Sequence, residues 1–416
     1  MKAALSLATL LYLAPAALAA NFTLVKQYAG QDFFNDWDFT DNFDNTTNGA
    51  RSVFDTDELE LEHASLLILG DINYVPQSTQ PQLAYIDSNQ RAIIKVDNTS
   101  VVAYPNKRNS IRINSKDFYE AGTVWVFDAV HLPYGCAVWP SFWTKGADWP
   151  RQGEIDIVEG INTQTSNQMA LHTFNGCNAA SGTNQKGKVG TTNCNDTTGA
   201  GCTVTETTDN SYGASFASAG GGVWAAQFDA TGIYIWFWNR ASVPTSITTA
   251  TDSIDISQWG APSAAYPSSS CDIGKFFGAQ QMVIDITLCG DWAGVPSLYQ
   301  PVCGGDGAAD GCYRNSVINA GSPNFDNAYF EINYIKAFGV NSSVITNFAG
   351  AVGSSTSNSP SGGSSGSGGA QTTSAGGSTQ TGSGDGSGAF KLNLSGGAIW
   401  GVLGAGVLAL LSGLML

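Results

Sequence analysis

Short apolar or alternating runs recur along this chain, and none continues into a 3.6-residue periodicity. They lie at 92–96, 110–113, 123–129, 154–158, 169–173, 232–238, 282–288 and 329–338, with Gly, Asn, Asp and Ser between them. Runs of this length bounded by turn formers read as β-strands, and many in series predict an antiparallel sandwich or barrel. No internal repeat is present. Residues 346–388 are dominated by Ser, Gly and Thr and cannot bury a core, so they are expected to form a flexible stalk. The folded domain is then 20–345, and one sandwich with long loops accounts for it better than two domains.

Both ends look like processing signals. Lys2, the apolar stretch 3–13 and Ala17-Leu18-Ala19 predict a secretory signal peptide over 1–19. Small residues Ser387-Gly388-Ala389, a short spacer and an apolar stretch from Ala398 onward match a glycosylphosphatidylinositol anchor signal. Residues 389–416 would then be removed and Ser387, or its neighbour Gly386, would carry the lipid. A tail-anchored transmembrane helix is the alternative. The expected location is the cell surface, on the outer leaflet of the plasma membrane or in the cell wall.

Secretion suits the eight cysteines, which predict up to four disulfides. Cys303 and Cys312 close a short Gly/Asp-rich loop and are expected to pair locally. No Cys/His spacing suggests zinc, and no metal or cofactor is expected. Asn45, Asn98, Asn195 and Asn341 head Asn-x-Ser/Thr sequons and are expected to carry glycans.

The net charge of −16 argues against nucleic acid, whose phosphates need Lys and Arg. It fits a secreted monomer acting on a neutral polymer. The chain holds 11 Trp, 14 Tyr and 20 Phe, enough to fill a core and still leave flat faces for sugar rings to stack on.

Residues 153–160, Gly-Glu-Ile-Asp-Ile-Val-Glu-Gly, carry the chemistry. In a strand, Glu154 and Asp156 share one face. Glu159 falls out of parity unless a β-bulge adds one residue before it. With the bulge, three carboxylates stand on one face and the apolar residues turn inward. Like charges so close favour retention of a proton on one of them. A protonated acid beside a carboxylate is the requirement of glycoside hydrolysis. The plain alternative is a solvated face whose acids pair with Lys or Arg on a neighbouring strand.

The flanks favour the first reading. Trp139, Ser141 and Trp143 share a face if 139–143 is a strand, which Pro140 would place at an edge or a strand start. His172, on the next apolar run, is within reach of Asp156 or a sugar hydroxyl if the two strands are neighbours. Trp292 follows the run 282–288 and is a further sugar platform or a core residue.

The octapeptide with its extra residue resembles the active-site strand of glycoside hydrolase family 16, in the form of its laminarinase-like members. His131-Leu-Pro-Tyr-Gly-Cys-Ala-Val-Trp-Pro-Ser-Phe-Trp-Thr144, Leu171-His-Thr173, 276–294 and Ala328-Tyr-Phe-Glu-Ile-Asn333 resemble secreted fungal endo-β-1,3(4)-glucanases. The resemblance implies an all-β, concanavalin A-like jelly-roll sandwich with a concave glucan cleft. It implies Glu154 as nucleophile, Glu159 as acid/base and Asp156 as their auxiliary. Trp139, Trp143, His172, Trp292 and Arg112 fall on or near positions that contact substrate. It allows a structural calcium, to which no ligand cluster in the sequence points. The expected activity is retaining hydrolysis of β-1,3- and mixed β-1,3/1,4-glucans. Transglycosylation and a non-catalytic glucan-binding lectin are the alternatives on the same sandwich.

Overall fold

The computed structural model describes residues 21–44, 71–195, 199–348 and 351. The expected leader, the anchor signal with Ser387, nearly all of the stalk and the sequon at Asn45 lie outside these residues. Two nine-stranded sheets dominate the rest. The first runs Ser253–Asp255, Asn21–Ala29, Tyr329–Gly339, Thr123–His131, Gly222–Asp229, Gly232–Asn239, Ala264–Pro267. Ala92–Lys95 adds to Tyr329–Gly339, and Ala84–Ile86 to Ala92–Lys95. The second runs Lys188–Val189, Cys202–Thr205, Gln168–His172, Glu154–Glu159, Val138–Gly146, Gln280–Leu288, Arg112–Tyr119, Trp37–Phe39. Within both sheets the pairing is antiparallel, as in Thr123–His131 with Tyr329–Gly339 and Val138–Gly146 with Gln280–Leu288.

The sheets pack face to face as a β-jelly-roll sandwich. Phe127 of the first stacks on Phe142 of the second with ring centroids 4.5 Å apart. Around them one core joins Trp125, Ile335, Ile155, Met169, Ile284 and Leu288. The first sheet is buried on its outer side as well. Val124, Val126, Trp236 and Trp238 point away from the main core into a second cluster with Ile247 and Trp259. A strand buried on both faces reads as a continuous apolar run, which is why 232–238 shows no alternation. The second sheet has one apolar face, and its other face carries the acids.

Two long strands escape the sequence pattern. Asn21–Ala29 has a bulge between Leu24 and Lys26 that breaks its alternation. Gly222–Asp229 contains Gly222, Ala225 and Ala226, which carry little β signal. At the other end Ile345–Thr346 pairs with Phe118 and Tyr119, and Ala351 is buried. The fold thus continues a few residues into the segment read as stalk.

The four disulfides are Cys136–Cys303, Cys177–Cys271, Cys194–Cys202 and Cys289–Cys312. The expected Cys303–Cys312 pair is therefore wrong. Closeness in sequence lowers only the loop-closure entropy, a weak function of loop length, whereas bonding needs Cα atoms within about 7 Å. The helix Pro296–Cys303 brings Cys303 to within 5.5 Å of Cys136, and Cys312 lies 5.9 Å from Cys289 at the end of the Gln280–Leu288 strand.

Candidate active site

The acidic strand Glu154–Glu159 lies between the tryptophan strand Val138–Gly146 and the histidine strand Gln168–His172. Lys145 sits opposite Glu154, Trp143 opposite Asp156, Phe142 opposite Val158 and Ser141 opposite Glu159. Ile157 is therefore the extra residue of a β-bulge, as the parity of the octapeptide requires. Ile155, Ile157 and Val158 are buried in the core, while the three acids share the other face. Glu154 and Glu159 are half-buried and Asp156 is buried. Lys145 makes no ion pair with Glu154, so the plain reading of neutralised surface acids does not hold.

The tryptophan strand is interior to its sheet, with Gln280–Leu288 on its other side. Pro140 is its third residue and lies beyond Ser141, where the ladder to the acidic strand ends. No edge position is needed, because its missing N–H costs a ladder bond only inside the ladder. Trp139, Ser141 and Trp143 do share the acidic face. Trp139 Nε1 donates to Glu159 Oε1 at 2.8 Å, and Trp292 meets the Trp139 ring edge-on at 5.5 Å. Trp143 Nε1 donates to Asp285 Oδ1 at 3.2 Å.

His172 lies opposite Glu154 in the ladder, and its Nε2 is 3.3 Å from Asp156 Oδ2, out of line for a full hydrogen bond. Glu154, Asp156 and His172 bring ligand-type atoms within 4.8 Å of one another, a spacing that would also admit a metal ion. Arg112 is buried on the same face. Its Nη1 is 3.0 Å from Asp285 Oδ2 and its guanidinium stands 5.1 Å from the centre of the Trp143 ring. All five substrate-contact candidates thus lie on or beside the acidic face.

Several residues of this face went unassigned in the sequence. Trp149, 46% exposed, donates its Nε1 to Glu154 Oε2. Asp285 accepts from Arg112, Trp143 and Tyr74. Its signal was the alternation of Gln281, Val283, Asp285 and Thr287 against Met282, Ile284 and Ile286. Of the sequons, Asn341 is exposed and accepts from Ser343 N–H, while Asn98 and Asn195 are half-buried.

Burial and the Asp156 charge together raise both glutamates. Glu159 is pushed up to about 8, against the pull of the Trp139 N–H. Glu154 is raised well above its ordinary value, against the pull of His172 and the Trp149 N–H. Three carboxylates in one half-buried site do not all ionise at neutral pH.

An antiparallel β-sandwich that sets two glutamates on one face of a bulged strand, with an indole on each, has the paired-carboxyl arrangement of glycoside hydrolases. The family model described as the XgeA-like catalytic GH16 domain matches residues 67–338. The chain belongs to glycoside hydrolase family 16. A probable glycosidase of Schizosaccharomyces pombe is 35% identical over 331 residues, 78% of this chain and 71% of that protein. A probable endo-1,3(4)-β-glucanase of Neosartorya fischeri is 34% identical over 76% of this chain and 45% of its own length. The endo-1,3(4)-β-glucanase of Emericella nidulans is 32% identical over 77% and 48%. The chain thus spans less than half the length of these two glucanases. Laminarinase 16A from Phanerochaete chrysosporium, solved with β-glucans in donor and acceptor sites, aligns with TM-score 0.65 and 33% identity, over 77% of this chain and all of that one. An elongating family 16 β-1,3-glucosyltransferase aligns with TM-score 0.64 and 35% identity, over 76% and 99%.

Proposed function

We propose that this protein is a retaining endo-β-glucanase that cleaves β-1,3- and mixed β-1,3/1,4-glucans. The observation that carries the reading is the bulged register, which aims Glu154 and Glu159 from one strand to one side with Asp156 between them. The names of the family 16 relatives support the substrate class.

Glu159, protonated at neutral pH, gives its proton to the leaving glycosidic oxygen as that C–O bond breaks. Glu154, as carboxylate, attacks the anomeric carbon and forms a glycosyl-enzyme. Glu159, now ionised, takes a proton from water, whose oxygen displaces Glu154. Asp156 is their auxiliary, set between the two glutamates on the same face, and His172, 3.3 Å from its Oδ2, pulls Glu154 toward the carboxylate form. Trp149 donates to Glu154 and Trp139 to Glu159, fixing both carboxyls. Trp143, Trp292 and Arg112 line the sugar path.

The test is the purified protein on laminarin, lichenan, cellulose and xylan, with Glu154→Gln beside it. Cleavage of the first two is expected, with a loss on the order of 10³-fold or more in the variant and with glucan binding retained. Undiminished cleavage by the variant, or an inverted anomeric product by NMR, overturns the assignment.

Transglycosylation is the second reading, favoured by the likeness to the elongating glucosyltransferase. Sizing the products of laminari-oligosaccharides decides it, since only transfer makes chains longer than the donor. We also propose that the chain acts at the cell surface, anchored through Ser387 and glycosylated at the sequons. Release of the mature protein by phosphatidylinositol-specific phospholipase C tests the anchor.

A further inference from the structure

The bulge that turns Glu159 onto the acidic face leaves its own backbone groups without ladder partners. Pairing with the histidine strand jumps from Asp156 opposite Ala170 to Glu159 opposite Gln168. One side chain fills the gap. Asn167 is fully buried just before Gln168–His172. Its Nδ2 donates to the carbonyl of Ile157 at 3.0 Å, and its Oδ1 accepts from the N–H of Glu159 at 3.0 Å. The amide thus stands in for a strand residue, offering one donor and one acceptor to the two peptides that bracket Val158.

Asn167 is itself held on both sides. Its N–H donates to Ser211 Oγ at 3.1 Å, and its carbonyl accepts from Glu206 N–H at 2.9 Å. Ser211 is also fully buried. A chain of hydrogen bonds therefore runs from Ser211 through Asn167 to the backbone of Glu159, and Trp139 holds the carboxyl at the other end.

We propose that Asn167 is a positioning residue for Glu159, fixing the peptide from which the acid/base carboxyl reaches the glycosidic oxygen. The inference rests on the role of Glu159 given above. Asp at 167 keeps the acceptor for the Glu159 N–H but offers no donor to Ile157, whereas Ala offers neither bond, so Ala is the change that releases the Glu159 peptide. A displacement near 1 Å at a catalytic group costs on the order of 100-fold.

The discriminating experiment uses two substrates with the same sugar on the nucleophile side. A laminari-oligosaccharide has a poor leaving group that needs protonation, whereas a 2,4-dinitrophenyl β-laminaribioside leaves without a proton. Asn167→Ala is expected to lose about 100-fold in kcat/KM on the oligosaccharide and less than about threefold on the dinitrophenyl substrate. Azide, which attacks the glycosyl-enzyme without giving up a proton, is expected to restore turnover of the dinitrophenyl substrate and to yield the β-glycosyl azide. Equal losses on both substrates, or no loss on either, overturn the inference. Should Asn167→Ala fail to fold, Ser211→Ala carries the test with a smaller shift in the same ratio, and no shift there is equally fatal. Glu159→Gln separates the two levels of argument. If it fails to discriminate between the substrates, the acid/base role itself is wrong. If it discriminates and the Asn167 and Ser211 variants do not, only the positioning role falls.

Discussion

Trp139 and Glu159 are joined by a 2.8 Å hydrogen bond from the indole N–H to Oε1. A donor of this kind favours the charged carboxylate, while burial and the Asp156 charge oppose it and leave Glu159 near 8. Trp139→Phe keeps the burial and removes the donor, so the carboxyl should hold its proton to higher pH. The alkaline limb of kcat/KM on laminarin is expected to move up by about half to one pH unit. A limb that stays put or moves down would mean that another group sets it.

The same carboxyl links stability to pH. Its native value of about 8 lies above its ordinary 4.5. Between those values the native protein keeps a proton that the unfolded chain has released, so the stabilising effect of protonation is full below about 4.5 and lost as pH rises through 8. Glu159→Gln removes this dependence. The variant is expected to gain on the wild type between pH 5 and pH 8 by about 2 kcal/mol, allowing for partial solvent screening of a cleft group. Urea melts at the two pH values measure the gain, and a constant difference between the proteins would contradict it.

Gly201 lies against the ring that faces Asp156. Its φ is +59°, and a Cβ there would stand 2.5 Å from the Leu171 carbonyl and 2.9 Å from Cε1 and Nε2 of His172. Gly201→Ala therefore combines left-handed strain with a push on the imidazole. A loss of about 1–3 kcal/mol is expected, with a fall in kcat as His172 leaves Asp156. Thermal melts and steady-state kinetics check it; wild-type behaviour in both would show that the strand yields freely.

Much of this could be read from residue order. The octapeptide carries its own bulge in the parity of Glu159, because side chains alternate strictly along a strand. The shared face of Trp139, Ser141 and Trp143 follows from the same rule, as does the neighbourhood of His172 once its strand is placed beside the acids. What parity within one strand leaves open is which strands are neighbours. Asp285 alternates correctly, but only pairing with the tryptophan strand brings it opposite Ser141. Asn167 precedes its strand and shows no pattern, since its role depends on a gap in the ladder between that strand and the acidic strand before it. The cysteines fail for the same reason: Cys136 and Cys303 meet across 167 residues of chain.

The Arg112–Asp285 pair offers the sharpest measurement. Both side chains are 8% exposed, with Nη1 and Oδ2 3.0 Å apart. Burial raises Asp285 and Arg112 pulls it back down, while Asp44 adds a further negative charge nearby. Arg112→Met leaves the Asp285 carboxylate buried without its cation, and Asp285→Asn leaves the guanidinium without its nearest anion. Each single change is expected to cost about 3–5 kcal/mol. The double variant should cost clearly less than their sum, because a pair removed together strands neither of its own two charges and leaves only the weaker attraction of Arg112 for Asp44 unreplaced. Trp143 reports the same coupling in function, for its N–H rests on Asp285 and its ring faces Arg112. With that support gone the indole is free to turn, so KM for laminari-oligosaccharides should rise about tenfold while kcat changes less. Strictly additive costs, with KM unchanged, would mean that the two charges are compensated by other groups and that Trp143 is held by packing alone.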